Sequence, residues 1–231
     1  MKRKPILVDC DGVLLNWEKG FADFLQSEYP HLLGDRGNLF EHSSASVLHE
    51  WMGLPSYQDA RPLIAEFEES ESYRLLEAFA DAQAILPQLH REEWDIVVIS
   101  HHTASDMERA LSIKRETLVG HFGDIFKAIH CLPTSVSKET ILSRYEPTYW
   151  IEDNRDNALL GIKCGHQPIR LVRERKENAL TLESINSGKK LIVANSWHGI
   201  YKGIKIHRLP RKEAHGLSVK SEHRTRIKTG N

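Results

Sequence analysis

The hydrophobic residues of this chain form short apolar runs that alternate with longer amphipathic stretches. Ile6-Leu7-Val8, Ile96-Val97-Val98-Ile99 and Tyr149-Trp150-Ile151 each have the length of one buried strand. Strands that alternate with helices are typical of βαβ units, so the pattern predicts an α/β fold with a mostly parallel sheet. The predicted strands are Pro5–Asp9, Asp95–Ser100, Ala128–Leu132, Thr148–Glu152, Pro168–Val172 and Lys190–Ala194.

The stretches between these strands have helical spacing. Asp106–Phe122 repeats apolar residues every three or four positions, which predicts a helix packed on the sheet. Pro87 interrupts a similar pattern, so the helix there either begins near Leu86 or is kinked. The other predicted helical segments are Ser137–Tyr145, Arg155–Leu160 and a closing turn over Ser196–Tyr201.

One long segment, residues 16–81, separates the first two predicted strands and contains no convincing strand of its own. Its helical runs are broken by prolines and glycines, which indicates several short helices. An insertion after the first strand lies over the strand ends, so it reads as a helical cap. The predicted organisation is a core of residues 1–15 and 82–201, a cap of residues 16–81 with helices over Glu18–Gln26, Ala45–Met52 and Asp59–Glu68, and a basic tail of residues 202–231.

Two carboxylates follow the first apolar run directly. Asp9 and Asp11 share one face of an extended chain, and Gly12 allows the backbone to turn so that both can point to one place. Ligands of open α/β sheets collect at this edge, and two acids held so close repel each other unless a divalent cation lies between them. An ordinary strand-to-loop turn or a calcium loop are the alternatives, although Leu14 and Trp17 occupy positions where an EF-hand has oxygen ligands.

Further polar residues follow the later strands. Ser100 ends the second strand, Lys138 opens the helix after the third, and Glu152-Asp153 end the fourth. Taken singly, each has an ordinary structural explanation: a helix cap, a solvated surface lysine, and the N-cap of the next helix. Their order at successive strand ends is what indicates a common site for phosphate and metal.

This ordered set resembles the motifs of the haloacid dehalogenase-like superfamily of phosphohydrolases. Asp9-Cys10-Asp11-Gly12-Val13 is similar to the first motif and Val98-Ile99-Ser100 to the second. Lys138 stands for the third and Trp150-Ile151-Glu152-Asp153-Asn154 for the fourth. The resemblance covers roughly residues 5–172, and only its first and fourth motifs are distinctive. It implies a Rossmann-like three-layer core with a small helical cap inserted after the first strand.

The resemblance also implies roles for individual residues. Asp9 would be the nucleophile that forms an aspartyl-phosphate, and Asp11 the general acid and base. Ser100 and Lys138 would hold the phosphoryl group. Asp9, the backbone carbonyl of Asp11 and Asp153 would hold Mg²⁺, a cation suited to an all-oxygen site.

The sequence differs from the family pattern at one position, and at another it resembles one group of proteins within the family. Asn157 stands where the family often has a second acid, so Asp156 or Glu152 is expected to support the metal-bound water instead. Val13 and the following Leu14-Leu15-Asn16-Trp17 look most like the deoxyribonucleotide 5′-nucleotidases. A nucleoside monophosphate is therefore the expected substrate, within the wider class of small phosphomonoesters.

The composition of the chain indicates the cellular environment expected for this activity. The 231 residues with three widely spaced cysteines suit one sizeable core in a reducing, cytoplasmic environment, with no signal peptide or membrane span expected. Nine basic and two acidic residues fall in the tail 202–231, although the whole chain has a net charge of −1. A solvated terminus is the simplest explanation of the tail, with a nucleic-acid contact as the alternative.

Two rival functions follow from these features. A phosphatase acting on nucleic-acid ends would use the basic tail as an electrostatic tether. A non-catalytic phosphate-binding scaffold would keep the fold without the reaction, although Asp9, Asp11 and Asp153 would then serve no purpose. The sequence does not determine the oligomeric state.

Overall fold

A computed structural model of the protein describes residues 3–33, 49, 52–173, 181–184 and 190–206. The described strands form one seven-stranded sheet in the order β3-β2-β1-β4-β5-β7-β6. All neighbouring strands are parallel except β6, which pairs antiparallel with β7 at one edge. The strands are β1 (Lys4–Val8), β2 (Trp94–His102), β3 (Phe126–Pro133), β4 (Tyr149–Glu152), β5 (Gln167–Leu171), β6 (Thr181–Ser184) and β7 (Lys190–Ala194).

Helices cover the sheet and fill the insertion between β1 and β2. The described part of the insertion is broken into several helices, as its prolines and glycines predict, but only two of them are short: two have four residues each, and the other two have twelve and thirteen. Within the described residues the helices are α1 (Trp17–Glu28), α2 (Pro30–Leu33), α3 (Tyr57–Glu69), α4 (Glu71–Arg74), α5 (Ala80–Arg91), α6 (Met107–Phe122), α7 (Glu139–Leu142), α8 (Arg155–Lys163) and α9 (Trp197–Ile206).

Burial of β1 on both faces explains why its sequence is a continuous apolar run. Ile6, Leu7 and Val8 are fully buried, and β1 lies between β2 and β4 in parallel register. A central strand of a parallel sheet has helices on both faces, so neither face tolerates polar residues. The consequence for the site is that Asp9 is the first polar residue that β1 can present at its carboxyl end.

The predicted α/β class is confirmed, and so are the six predicted strands, each to within two residues at its ends. The antiparallel edge strand β6 was not predicted, because its four residues carry no distinctive alternation. Of the two alternatives for Pro87, a helix that begins near Leu86 is wrong. Helix α5 begins at Ala80 and continues through Pro87. Helix α7 is only four residues long, shorter than predicted.

The insertion contributes a cluster of aromatic side chains that is continuous with the hydrophobic core of the sheet. Trp17 stacks on Phe21, and Phe67 of α3 packs edge-on against Trp17 and Tyr73. Phe24 completes the cluster. Most of the predicted helix Ala45–Met52 and the tail beyond residue 206 lie outside the described residues, and the division into core, cap and tail stays a prediction.

The closing segment packs as predicted. Trp197 and Ile200 of α9 are fully buried. In the part of the chain that is described, no helix combines the length and the apolar character that crossing a bilayer requires.

Candidate active site

The loop after β1 is anchored to the neighbouring strand and turns at once. The Asp9 N–H donates to the carbonyl of Ile151 at 2.9 Å, and the following turn is closed by the Leu14 N–H to the Cys10 carbonyl at 2.7 Å. Gly12 has φ +75°, and a β-carbon there would lie 2.3 Å from the Oδ2 atom of Asp153. Glycine is therefore required at position 12 for both its conformation and the close approach of this loop to the end of β4.

A buried lysine binds two carboxylates at the centre of the site. The Nζ atom of Lys138 lies 2.8 Å from Asp9 Oδ1 and 2.8 Å from Glu152 Oε2. Lys138 is 2% exposed and Glu152 is fully buried. The surface-lysine explanation of Lys138 is therefore wrong: the residue precedes α7 on the chain but its ammonium group lies inside the site.

Both oxygens of Glu152 are engaged by the protein. Its Oε1 atom accepts from the Asn154 N–H at 3.0 Å, while Oε2 accepts from Lys138. Asn154, and not Asp153, is the N-cap of α8, because its side chain accepts from the N–H groups of Asp156 and Asn157. Asp153 is thereby free of a capping role, and the exposed Asp156 lies at the start of the helix.

Asp9, Glu152 and Asp153 form a compact acidic cluster. One carboxylate oxygen from each lies within 4.8 Å of the other two. Burial raises the pKa of Asp9 and of Glu152 to about 7, and that of Asp153 to about 6, with the neighbouring acids adding to the rise at Asp9 and Asp153. Lys138 lowers all three pKa values but does not offset burial. Three acids, two of them fully or almost fully buried, share one lysine in this cluster, so it is short of positive charge, which a divalent cation would supply.

A second buried lysine lies on the other side of the site. Lys114 of α6 is fully buried and donates to Asp11 Oδ2 at 2.6 Å and to Ser100 Oγ at 2.9 Å. Ser100 itself donates to Asp11 Oδ2 at 3.3 Å. Asp11 Oδ1 is buried and has no hydrogen-bond partner among the described residues. The Asp11 carboxylate is thus held through one oxygen, and the other is available for chemistry.

Sequence analysis did not identify Lys114 as part of the site. It lies on the inward side of a helix whose other buried residues include Ala110, Ile113 and Leu118. A lysine at that spacing within an apolar stripe is a signal for a buried charge, because lysine is almost never fully buried without a partner. The signal was present in the sequence and was not used.

All five predicted site residues line one cavity of about 520 Å³. Asp9, Asp11, Ser100, Lys138 and Asp153 come from four separate segments that meet where β1, β2 and β4 end. The insertion contributes Trp17, Tyr57 and Glu68 to the wall of the same cavity. A volume of this size is typical of small-molecule sites.

Comparison with solved structures supports the architecture. A predicted phosphatase from Clostridium acetobutylicum superposes with a TM-score of 0.59 at 16% identity, covering 89% of this chain and 100% of that one. L-2-haloacid dehalogenase from Xanthobacter autotrophicus, with chloropropionic acid covalently bound, gives 0.55 at 16% identity over 88% and 98% of the two chains. This chain has the fold of the haloacid dehalogenase-like hydrolases.

A third similar structure contains a bound metal ion. YfnB from Bacillus subtilis, assigned to the HAD hydrolases and bound to magnesium, gives a TM-score of 0.50 at 12% identity over 87% of this chain and 98% of that one. No protein-family model matches this chain, and no curated protein matches it by sequence. At identities this low, the superpositions establish the fold alone.

Proposed function

We propose that this protein is a Mg²⁺-dependent phosphatase that hydrolyses a phosphomonoester through an aspartyl-phosphate on Asp9. The observation that carries the proposal is the buried Lys138–Asp9 contact beside the acidic cluster, at the floor of a cavity that also contains Asp11 and Ser100. Phosphoryl transfer needs a positioned nucleophile, cations and a proton donor. The cavity contains the proposed nucleophile, the proposed proton donor and a lysine, and its acidic cluster could bind a divalent cation.

In the first step a carboxylate oxygen of Asp9 attacks phosphorus and the bond to the alcohol oxygen breaks. Lys138 and the Cys10 N–H, which lies 2.7 Å from Asp9 Oδ1, fix the orientation of the nucleophile. Asp11, in its protonated form, gives its proton to the leaving alcohol. We assign Ser100 and Lys138 as donors to the oxygens of the phosphoryl group. Ser100 has one hydroxyl proton, so it would release Asp11 Oδ2, which Lys114 still holds, when it donates to the phosphoryl group.

In the second step water attacks the phosphorus of the aspartyl-phosphate. Asp11 now takes a proton from that water, the bond between phosphorus and Asp9 breaks, and inorganic phosphate leaves. Asp11 Oδ1 serves both transfers because Lys114 and Ser100 occupy only Oδ2. The enzyme returns to its starting state with no net change.

The residues that would hold Mg²⁺ are Asp9, Asp153 and the backbone carbonyl of Asp11. When bound there, the cation would neutralise charge on the phosphoryl group and on the acids. Glu152 has a different task, because both of its oxygens already accept hydrogen bonds from protein donors. It holds Lys138 in place.

The substrate that we propose is a nucleoside monophosphate, in keeping with the resemblance to the 5′-nucleotidase branch. The aromatic side chains Trp17 and Tyr57 in the cavity wall are suited to an apolar or planar group beyond the phosphate. Action on nucleic-acid ends remains the alternative proposal, and the charge of the tail favours it. Phosphate release from mononucleotides and from end-phosphorylated oligonucleotides compares the two directly.

The proposal predicts that magnesium stabilises the folded protein through Asp153. Adding millimolar Mg²⁺ to protein stripped with EDTA should raise the midpoint of thermal unfolding by several degrees, because the ion binds only the folded acidic cluster. The same addition should not change the midpoint of thermal unfolding of Asp153→Asn. In the wild type it should also restore phosphate release from p-nitrophenyl phosphate. Equal stabilisation of both proteins would contradict the assignment of Asp153.

The contact between Lys114 and Asp11 predicts a dependence on the leaving group. Lys114→Met should slow hydrolysis of alkyl phosphates by roughly a hundredfold and of p-nitrophenyl phosphate much less, because only a poor leaving group needs a well-placed acid. The exposed neighbour Arg115 provides the matched control, Arg115→Met. Equal losses on both substrates would show that Lys114 acts on folding alone.

A further inference from the structure

The insertion carries one buried carboxylate into the cavity. Glu68 is 6% exposed and lies on α3, where Tyr57 and Ile64 precede it at spacings of eleven and four residues. These spacings place the three side chains on one side of the helix, and all three line the cavity. A carboxyl group thus faces a cavity in which a phosphate dianion has to bind.

One oxygen of Glu68 attaches the insertion to the end of β2. Its Oε2 atom accepts from the Thr103 N–H at 2.7 Å and from the Thr103 hydroxyl. The Nδ1 atom of His102 lies 3.4 Å away, but it accepts a hydrogen bond from the Ala104 N–H. Burial lowers the pKa of His102 to about 4, so the imidazole is neutral and does not compensate the charge of Glu68.

The other oxygen of Glu68, Oε1, has no partner among the described residues. No hydrogen bond or ion pair to Oε1 occurs within the described residues, and the side chain forms part of the cavity wall. Burial raises the pKa of Glu68 to about 7, with the charge of Asp11 contributing to the rise. Thr103, which holds Glu68, follows Ser100 by three residues, and Ser100 contacts Asp11. Asp11 is the residue that faces the leaving oxygen in the proposed reaction, so we place Glu68 on the leaving-group side of the phosphate. A substrate that fills the cavity closes Oε1 off from water, and an acceptor that is buried without a donor is unfavourable.

We propose that Glu68 selects phosphomonoesters whose alcohol carries a hydrogen-bond donor, a hydroxyl or an ammonium group, close to the ester oxygen. This inference rests on the proposed phosphatase function and names its substrate class. The donor of the substrate binds Oε1 while Thr103 holds Oε2. Alkyl phosphates without a donor leave Oε1 buried and unpaired, and they are rejected for that reason.

The test uses two matched pairs of substrates and the full-length protein with Mg²⁺. Glycerol 1-phosphate is compared with propyl phosphate, and 2-aminoethyl phosphate with ethyl phosphate, by kcat/KM for phosphate release. In the wild type we expect the donor-bearing member of at least one pair to be preferred by about ten- to a hundredfold. Glu68→Gln should remove most of that preference, and the pair that it affects identifies the hydroxyl or the ammonium group as the recognised donor.

Two further variants separate recognition from folding. Glu69 is exposed on the same helix, so Glu69→Gln should keep the wild-type preference. Thr103→Val removes one contact of Glu68 and keeps its carboxyl group. If the role of Glu68 were purely structural, Thr103→Val and Glu68→Gln would have the same effect on every substrate.

The outcomes distinguish the inference from the function on which it rests. A loss in Glu68→Gln that is equal on all four substrates, or a wild type without preference, overturns the role of Glu68 and leaves the phosphatase intact. Failure of the wild type to release phosphate from any substrate overturns both. If Glu68→Gln loses the preference while Glu69→Gln keeps it, the result supports both the role of Glu68 and the phosphatase function.

Discussion

Asp9→Asn should lower kcat by about four orders of magnitude or more while the protein stays folded. An amide oxygen is a poor nucleophile toward phosphorus, and without the aspartyl-phosphate the reaction has no covalent route. The fold should be retained because asparagine still accepts the Cys10 N–H through Oδ1, and because burial disfavours the charged form of Asp9 in any case. The measurements are phosphate release with Mg²⁺ and thermal unfolding.

A chemical readout sharpens this prediction. Wild-type protein denatured in acid during turnover of a radiolabelled phosphomonoester should retain label on the peptide that contains Asp9, and Asp9→Asn should retain none. The exposed residue Asp124 provides the control Asp124→Asn, for which wild-type turnover is expected. Turnover of Asp9→Asn near the wild-type rate would refute the nucleophile.

Lys138→Met should affect both rate and stability. Loss of one preorganised cation at the phosphoryl group lowers kcat by about a hundred- to a thousandfold. Removing one partner from a buried ion pair also destabilises a fold by about 3–5 kcal/mol. Both contacts of Lys138 are 2.8 Å long and lie out of solvent, so screening by water does not reduce this effect.

The stability loss in Lys138→Met should depend on pH with a definite sign. The pKa values of Asp9 and Glu152 are raised in the folded protein, so both acids are largely neutral near pH 5 and ionised at pH 8. Removing the lysine is therefore tolerated better at pH 5, and folding stability falls as pH rises. Urea unfolding of wild type and variant in EDTA at both pH values measures the difference.

Lys127, exposed on β3, supplies the matched control Lys127→Met. Its substitution should change neither kcat nor the pH dependence of stability. If Lys138→Met kept the wild-type rate, the lysine would have a structural role only, and the phosphate contact assigned to it would be withdrawn.

The sequence by itself determined the α/β class and the carboxyl-edge position of Asp9, Asp11, Ser100 and Asp153. Apolar runs report burial directly, and in a parallel sheet the residue after each run lies at a common edge. The positions of these residues directly after apolar runs were therefore enough to predict that they lie close together. The same reasoning placed Lys138 at a helix start and left open whether it points to solvent.

Only the tertiary structure decided which charges meet. Lys138 is paired with Glu152 and Asp9, Lys114 reaches Asp11 from a helix about a hundred residues along the chain, and Glu68 arrives from the insertion. None of these contacts is local in sequence, and each depends on how helices dock on the sheet. Periodicity specifies which side of a helix is buried, whereas the partner of a buried charge is set by packing between distant segments.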